Sequence, residues 1–328
     1  MHPKRTTIQA LSAWLLLAVA LLSTAAQAAT PSVMQRPISV QTGNGTLYGT
    51  LLLPRASSPV PVVLLIAGSG PTDRNGNNPE GGRNDSLKQL AITLARHNIA
   101  SVRYDKRGVA ASKPATPDER NLSVERYVAD VVAWSRLLKA DSRLGPLILL
   151  GHSEGALMAS LAAGPAGASA VIAIGGTGRP VDQVLREQLN DRLPPELAQR
   201  SQQLLDSLKA GHTDAQVPAE LMVVFRPSVQ PYLISLLRQD PAAAFARIKV
   251  PALIVQGRND IQVGVEDAQR LQQAKPDAQL VLIDGMNHVL RIVPDDLQQQ
   301  LQSYRNPDLP LASELTRQIL QFIENLQP

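Results

Sequence analysis

The chain has 328 residues, 44% of them hydrophobic and 18% charged, which supplies a large packed core and excludes a disordered, highly charged polymer. It contains no cysteine, so disulfide scaffolds, zinc ribbons, iron–sulfur clusters and thiol nucleophiles are excluded together. With a net charge of only +4, 3% aromatic residues and no dense run of Lys or Arg, nucleic-acid binding is not expected.

Lys4 and Arg5 precede an apolar stretch from Leu11 to Leu22, and Ala26-Gln27-Ala28 then offers a small-x-small cleavage site. The apolar run is about 12 residues where a spanning helix needs about 20, so residues 1–28 are expected to be a signal peptide. The mature chain is then expected to be periplasmic or secreted, without a stable membrane anchor. Ile38 to Leu53 reads as a hairpin turning at Gly43-Asn44-Gly45, at an edge of a sheet. Val62 to Ile66 is an unbroken apolar run between Pro61 and Gly68, the pattern of a strand buried on both faces. Similar runs recur at Ile99 to Tyr104, Leu147 to Leu150, Ala170 to Ile174, Ala252 to Val255 and Leu280 to Ile283.

Helical periodicity fills the intervals: Ser86 to His97 behind a possible Asp85 cap, Ser123 to Lys139 with Ser123 as cap and Glu125 in the first turn, Glu154 to Ala163, Gly264 to Lys275 and Leu311 to Leu326. Strands alternating with helices predict a mainly parallel central sheet covered by helices on both faces. From 177 to 247 the rhythm breaks into helical stretches interrupted by Pro194, Pro195, Pro218, Pro227, Pro231 and Pro241. This segment is expected to be a helical cap inserted into a core formed by 29–176 and 248–328.

Gly151-His152-Ser153-Glu154-Gly155 follows a buried run and precedes a helix, which places Ser153 on a tight strand-to-helix turn whose glycines leave room for a protruding hydroxyl. The bland alternative is an ordinary loop in which Ser153 caps the helix. A serine nucleophile needs a base, and the base an orienting acid. His2 lies in the leader, His97 at a helix end, His212 in the cap and His152 inside the turn itself, which leaves His288 after the last strand. Asp260, after the Leu253-Ile254-Val255 run, is the candidate acid, and Asp284 is a rival only four residues before His288. An oxyanion needs at least two preorganised donors. The backbone N–H groups of Glu154 and Ser69 are the candidates, the latter from the Ala67-Gly68-Ser69-Gly70 loop. Gly68 and Gly70 do not complete a dinucleotide fingerprint, and no His-Glu-x-x-His metal pattern occurs.

Together with the long loop from Ala67 through Asp73, Arg74 and Gly76, and with Asp105-Lys106-Arg107-Gly108, these motifs resemble the α/β-hydrolase superfamily, in particular exported bacterial serine esterases of the EstD type. The resemblance spans essentially the whole mature chain. It implies an α/β-hydrolase fold with a helical cap and a cofactor-free carboxylesterase acting on a small-molecule ester, usually with a short acyl chain, through Ser153, His288 and Asp260. A serine aminopeptidase or acyltransferase with the same residues is the alternative, and a catalytically silent binding protein a more distant one. Two departures stand out: Ala67 replaces the usual histidine of the loop, and Ala110 stands where the superfamily's Asp-x-Arg-Gly-x-Gly-x-Ser stretch has its second glycine. Asp73, Arg74 and Arg107 are loop charges near the expected mouth, read as braces of the oxyanion loop rather than as substrate-binding groups.

Overall fold

The computed structural model describes residues 32–190 and 192–326, so the expected signal peptide at 1–28 lies outside the described residues. The chain builds an eight-stranded sheet from β1 (Val33–Thr42), β2 (Gly45–Pro54), β3 (Val60–Ile66), β4 (Ala100–Tyr104), β5 (Leu144–His152), β6 (Ala170–Ile174), β7 (Ala252–Gly257) and β8 (Gln279–Ile283), in the order β1-β2-β4-β3-β5-β6-β7-β8. β1 pairs antiparallel with β2, and β2 antiparallel with β4; every other pairing is parallel. The edge hairpin is longer than expected, and because Thr42 pairs with Gly45 its turn is the pair Gly43-Asn44.

The apolar runs are continuous because both faces of the parallel strands are covered. Along β3, Val62, Leu64 and Ile66 enter one core while Val63 and Leu65 enter the other, the two-residue alternation of a pleated strand. The first core takes in α2 (Val124–Lys139) and α3 (Glu154–Ala166); the second takes in α1 (Ser86–Arg96) and the late helix Ser313–Glu324. Each fully buried Val, Leu or Ile contributes about 1.5–3 kcal/mol relative to exposure.

Helix starts follow two different routes. Ser123 caps α2 as expected, its Oγ accepting from Arg126 N at 3.3 Å. Asp85 does not cap α1: its φ is 53° and its carboxylate faces Asn77, Arg83 and Lys88 instead. That side chain is drawn into the long loop before the helix, which competes for the same oxygens. α3 outlasts the expected Ala163, carrying Pro165 in its final turn before Gly167 ends it at φ 60°.

Between β6 and β7 run α4 (Val181–Asn190), α5 (Pro195–Lys209), α6 (Met222–Phe225), α7 (Gln230–Leu237) and α8 (Pro241–Ala246). Leu204, Leu205, Leu208, Leu221, Phe225, Leu233 and Leu237 form an apolar cluster of their own there. The end of the segment belongs to the main body, since Tyr232, Leu236, Ala244, Phe245 and Ile248 join the first core. After β7 come α9 (Val265–Ala274), β8, α10 (Leu297–Ser303) and α11 (Ser313–Glu324). Ile66 pairs with Gly151, His152 with Ile174, Ile174 with Val255 and Gly257 with Ile283. The carboxyl ends of these strands therefore align, and the loops that leave them share one edge, where open α/β sheets place their ligands.

Candidate active site

Ser153 stands between β5 and α3 with φ 55° and ψ −124°, a conformation that L residues adopt only under strain. Its N–H donates to Ile174 O at 2.8 Å, which ties the turn to the neighbouring strand. The flanking glycines are steric necessities: a Cβ on Gly151 would lie 2.1 Å from Gly155 O, and one on Gly155 would lie 2.3 Å from Ile66 O. A capping role is absent, because the Ser153 side chain makes no cap hydrogen bond.

Asp260 follows β7 and His288 follows β8. His288 Nδ1 and Asp260 Oδ2 are 2.8 Å apart, and both side chains are buried. The other carboxylate oxygen accepts from Gln262 N at 2.8 Å and Val263 N at 3.0 Å, so Asp260 is fixed before it meets the imidazole. Burial pushes its carboxyl pKa up, but the imidazole and these N–H groups outweigh it and hold the group below the ordinary value. Asp284, the rival acid, is 90% exposed at its side chain and pairs with Arg258 at 2.8 Å. Among the described residues the Ser153 hydroxyl makes no hydrogen bond, to His288 or otherwise.

The N–H of Glu154 is the first of α3 and has no acceptor within the helix. That of Ser69 donates to no backbone carbonyl outside the regular elements. Both residues, with Ser153, line a cavity of about 930 Å³ whose far wall is the apolar face of the inserted helices, including Val184, Leu185, Val224 and Leu233. Asp73 and Arg74 brace the Ser69 loop, whereas Arg107 makes no hydrogen bond to it among the described residues. Arg74 meets Asp105 through both its backbone N–H (2.9 Å) and its guanidinium (2.7 Å), and Asp73 accepts from Asn75 N and Asn77 N within its own loop. Arg107 is gripped by buried Asp130.

Two residues enter the site that the sequence did not single out by side chain. His152 donates through Nε2 to the His288 carbonyl at 2.8 Å, its ring 4.8 Å from the His288 ring. Burial, and then the neighbouring imidazole, lower its pKa to about 4, so it is neutral. Lys106, 3% exposed, donates to the Gly68 carbonyl beneath the Ser69 loop. His152 could have been suspected from its place beside the serine; nothing in the local pattern marks Lys106 as inward-facing.

An eight-stranded, mainly parallel sheet with an elbow serine and a buried His–Asp pair at its carboxyl edge defines an α/β hydrolase fold. The chain belongs to the Hydrolase_4 family, serine aminopeptidase S33, whose model matches residues 82–292. It is 28% identical over 253 residues to esterase EstD of Thermotoga maritima, covering 76% of this chain and 59% of EstD, so the chain spans about three-fifths of that curated relative. Among solved structures it resembles Est1E of Butyrivibrio proteoclasticus with ferulic acid bound, at TM-score 0.60 and 15% identity over 88% of this chain and 98% of the other. The esterase domain of a Rhodothermus marinus protein matches at TM-score 0.54 and 20% identity, covering 88% and 99%. These two likenesses establish the shared fold.

Proposed function

We propose that the protein is an exported serine carboxylesterase. The observation that carries this reading is the buried 2.8 Å pair of His288 and Asp260 at the sheet edge from which the strained Ser153 turn also rises. In this reading His288 Nε2 takes the Ser153 proton as Oγ attacks the ester carbonyl, and Asp260 holds the Nδ1–H tautomer and the resulting imidazolium. The Ser69 and Glu154 N–H groups receive the oxyanion. Collapse of the tetrahedral intermediate expels the alcohol, which takes the proton from His288. Water then attacks the acyl-enzyme by the same route and releases the acid.

The similarity to esterase EstD supports ester substrates. The cavity, about 930 Å³, lies at the upper end of the roughly 300–1,000 Å³ of ligand pockets and has room for a small-molecule ester. The family match makes peptide amides the second reading. The charged start and apolar run of residues 1–28 support export, which N-terminal sequencing of the protein recovered outside the cytoplasm tests directly. The activity is tested with p-nitrophenyl esters from acetate to palmitate beside aminoacyl p-nitroanilides. Ester turnover that falls by about 10³-fold or more in Ser153→Ala supports the proposal. Turnover of the anilides alone selects the aminopeptidase, and equal rates for wild type and variant on every ester overturn a serine mechanism.

A further inference from the structure

Lys106 stands just beyond β4 with its side chain inside the molecule, and it lines the same cavity as Ser153. The charges on either side of it are taken: Asp105 by Arg74 and Arg107 by Asp130. Lys106 itself forms no ion pair among the described residues. Its ammonium lies 5.5 Å above the Tyr127 ring and donates to the Gly68 carbonyl. A buried ammonium held by one carbonyl and one ring face is a costly arrangement, and burial lowers its pKa, with Glu154 acting in the opposite direction.

The peptide it grips adjoins the nucleophile. A methyl group on Gly68 would come within 3.1 Å of Ser153 Cβ and 3.6 Å of Ser153 Oγ. In a planar trans peptide the C=O and the following N–H point in opposite directions, so a donor fixed on the Gly68 oxygen fixes the direction of the Ser69 N–H. A charged donor on the oxygen also polarises the amide and makes that N–H a stronger donor. We infer that Lys106 is a positioning residue of the oxyanion hole, holding and polarising the Gly68–Ser69 peptide so that the Ser69 N–H meets the tetrahedral intermediate. This rests on the esterase reading above. The ammonium acts through the peptide and touches no reacting atom, so its contribution belongs to the transition state rather than to substrate binding.

The test measures kcat and KM separately for p-nitrophenyl butyrate in wild type, Lys106→Met and Lys106→Gln. Inhibition by an alkyl trifluoromethyl ketone, whose adduct with Ser153 carries the oxyanion, is measured on the same proteins. Lys106→Met is expected to lose about 10²-fold in kcat with KM within about threefold, and to lose ketone affinity in proportion to kcat/KM. Lys106→Gln keeps a neutral N–H donor and is expected to fall between Met and wild type. Melting temperatures are recorded for both; if the Met variant fails to fold, the Gln variant carries the comparison. A rise in KM at unchanged kcat, or kcat within about threefold of wild type in the folded variants, overturns the inference. A wild type that hydrolyses no ester would instead remove the reading on which it rests, so the two failures are distinguishable.

Discussion

Ala110 shows how a single residue can occupy a place that suits another. Its φ is 42°, on the left-handed side that glycine adopts freely and a residue with a Cβ does not. The departure from the superfamily pattern thus leaves the backbone bend in place and stores strain in it. Ala110→Gly is expected to raise stability by up to about 1 kcal/mol, read as a higher denaturation midpoint at unchanged m value. The acid at the site is tested in the same way. Asp260→Asn would leave His288 with the wrong tautomer partner and is expected to cost about 10³-fold in kcat with little change in KM. Asp284→Asn, at an exposed carboxylate paired only with Arg258, is expected to stay within about twofold of wild type. Comparable losses in both variants would reassign the acid. The places of Ser153, His288 and Asp260 beyond the ends of strands were legible in the sequence because each follows a recognisable apolar run. Lys106 was not, because its inward direction depends on the packing of β4 beside β3, which no local pattern encodes.

At the scale of elements, a hydrogen bond from His152 to the His288 carbonyl joins the end of β5 to the loop after β8. The donor is neutral, with a pKa lowered from 6.5 to about 4, and this ties the junction to pH. Between pH 6.5 and about 4 the unfolded chain binds a proton at this residue and the folded chain does not, so stability falls as pH falls through that window. The size is on the order of 2–3 kcal/mol. Melting at pH 7 and pH 4.5 should therefore show a smaller acid loss in His152→Gln, whose amide can still donate to the same carbonyl. Equal losses in the two proteins would refute a neutral buried His152. The strands and most helices were readable from apolar runs and caps. Asp85 misled because a long polar loop claims its carboxylate, and α3 ran past its expected end although Pro165 has no N–H to give its final turn; Gly167, at φ 60°, is what ends the helix.

Across the whole molecule, the sheet supplies one edge and the segment between β6 and β7 supplies the roof of the cavity over it. The expected insertion at 177–247 is helical in the described residues, and its last helix returns to the main core through Phe245. The sequence could locate this segment by its lack of strands and its prolines. It could not give the cavity, whose size depends on how helices far apart in the chain face the sheet. Leu185, on the inserted wall, is a direct probe of that size: Leu185→Trp is expected to lower kcat/KM for long acyl esters several-fold more than for acetate. A uniform loss across chain lengths would place the acyl group elsewhere.

In the proposed mechanism Ser153 is a nucleophile activated by His288. Incubation with a fluorophosphonate followed by mass analysis of the peptides tests it most directly. A single adduct is expected on Ser153, formed rapidly in wild type and slowed by at least about 10²-fold in His288→Ala. An adduct on another residue, no adduct at all, or labelling of Ser153 at the same rate without the imidazole would contradict it.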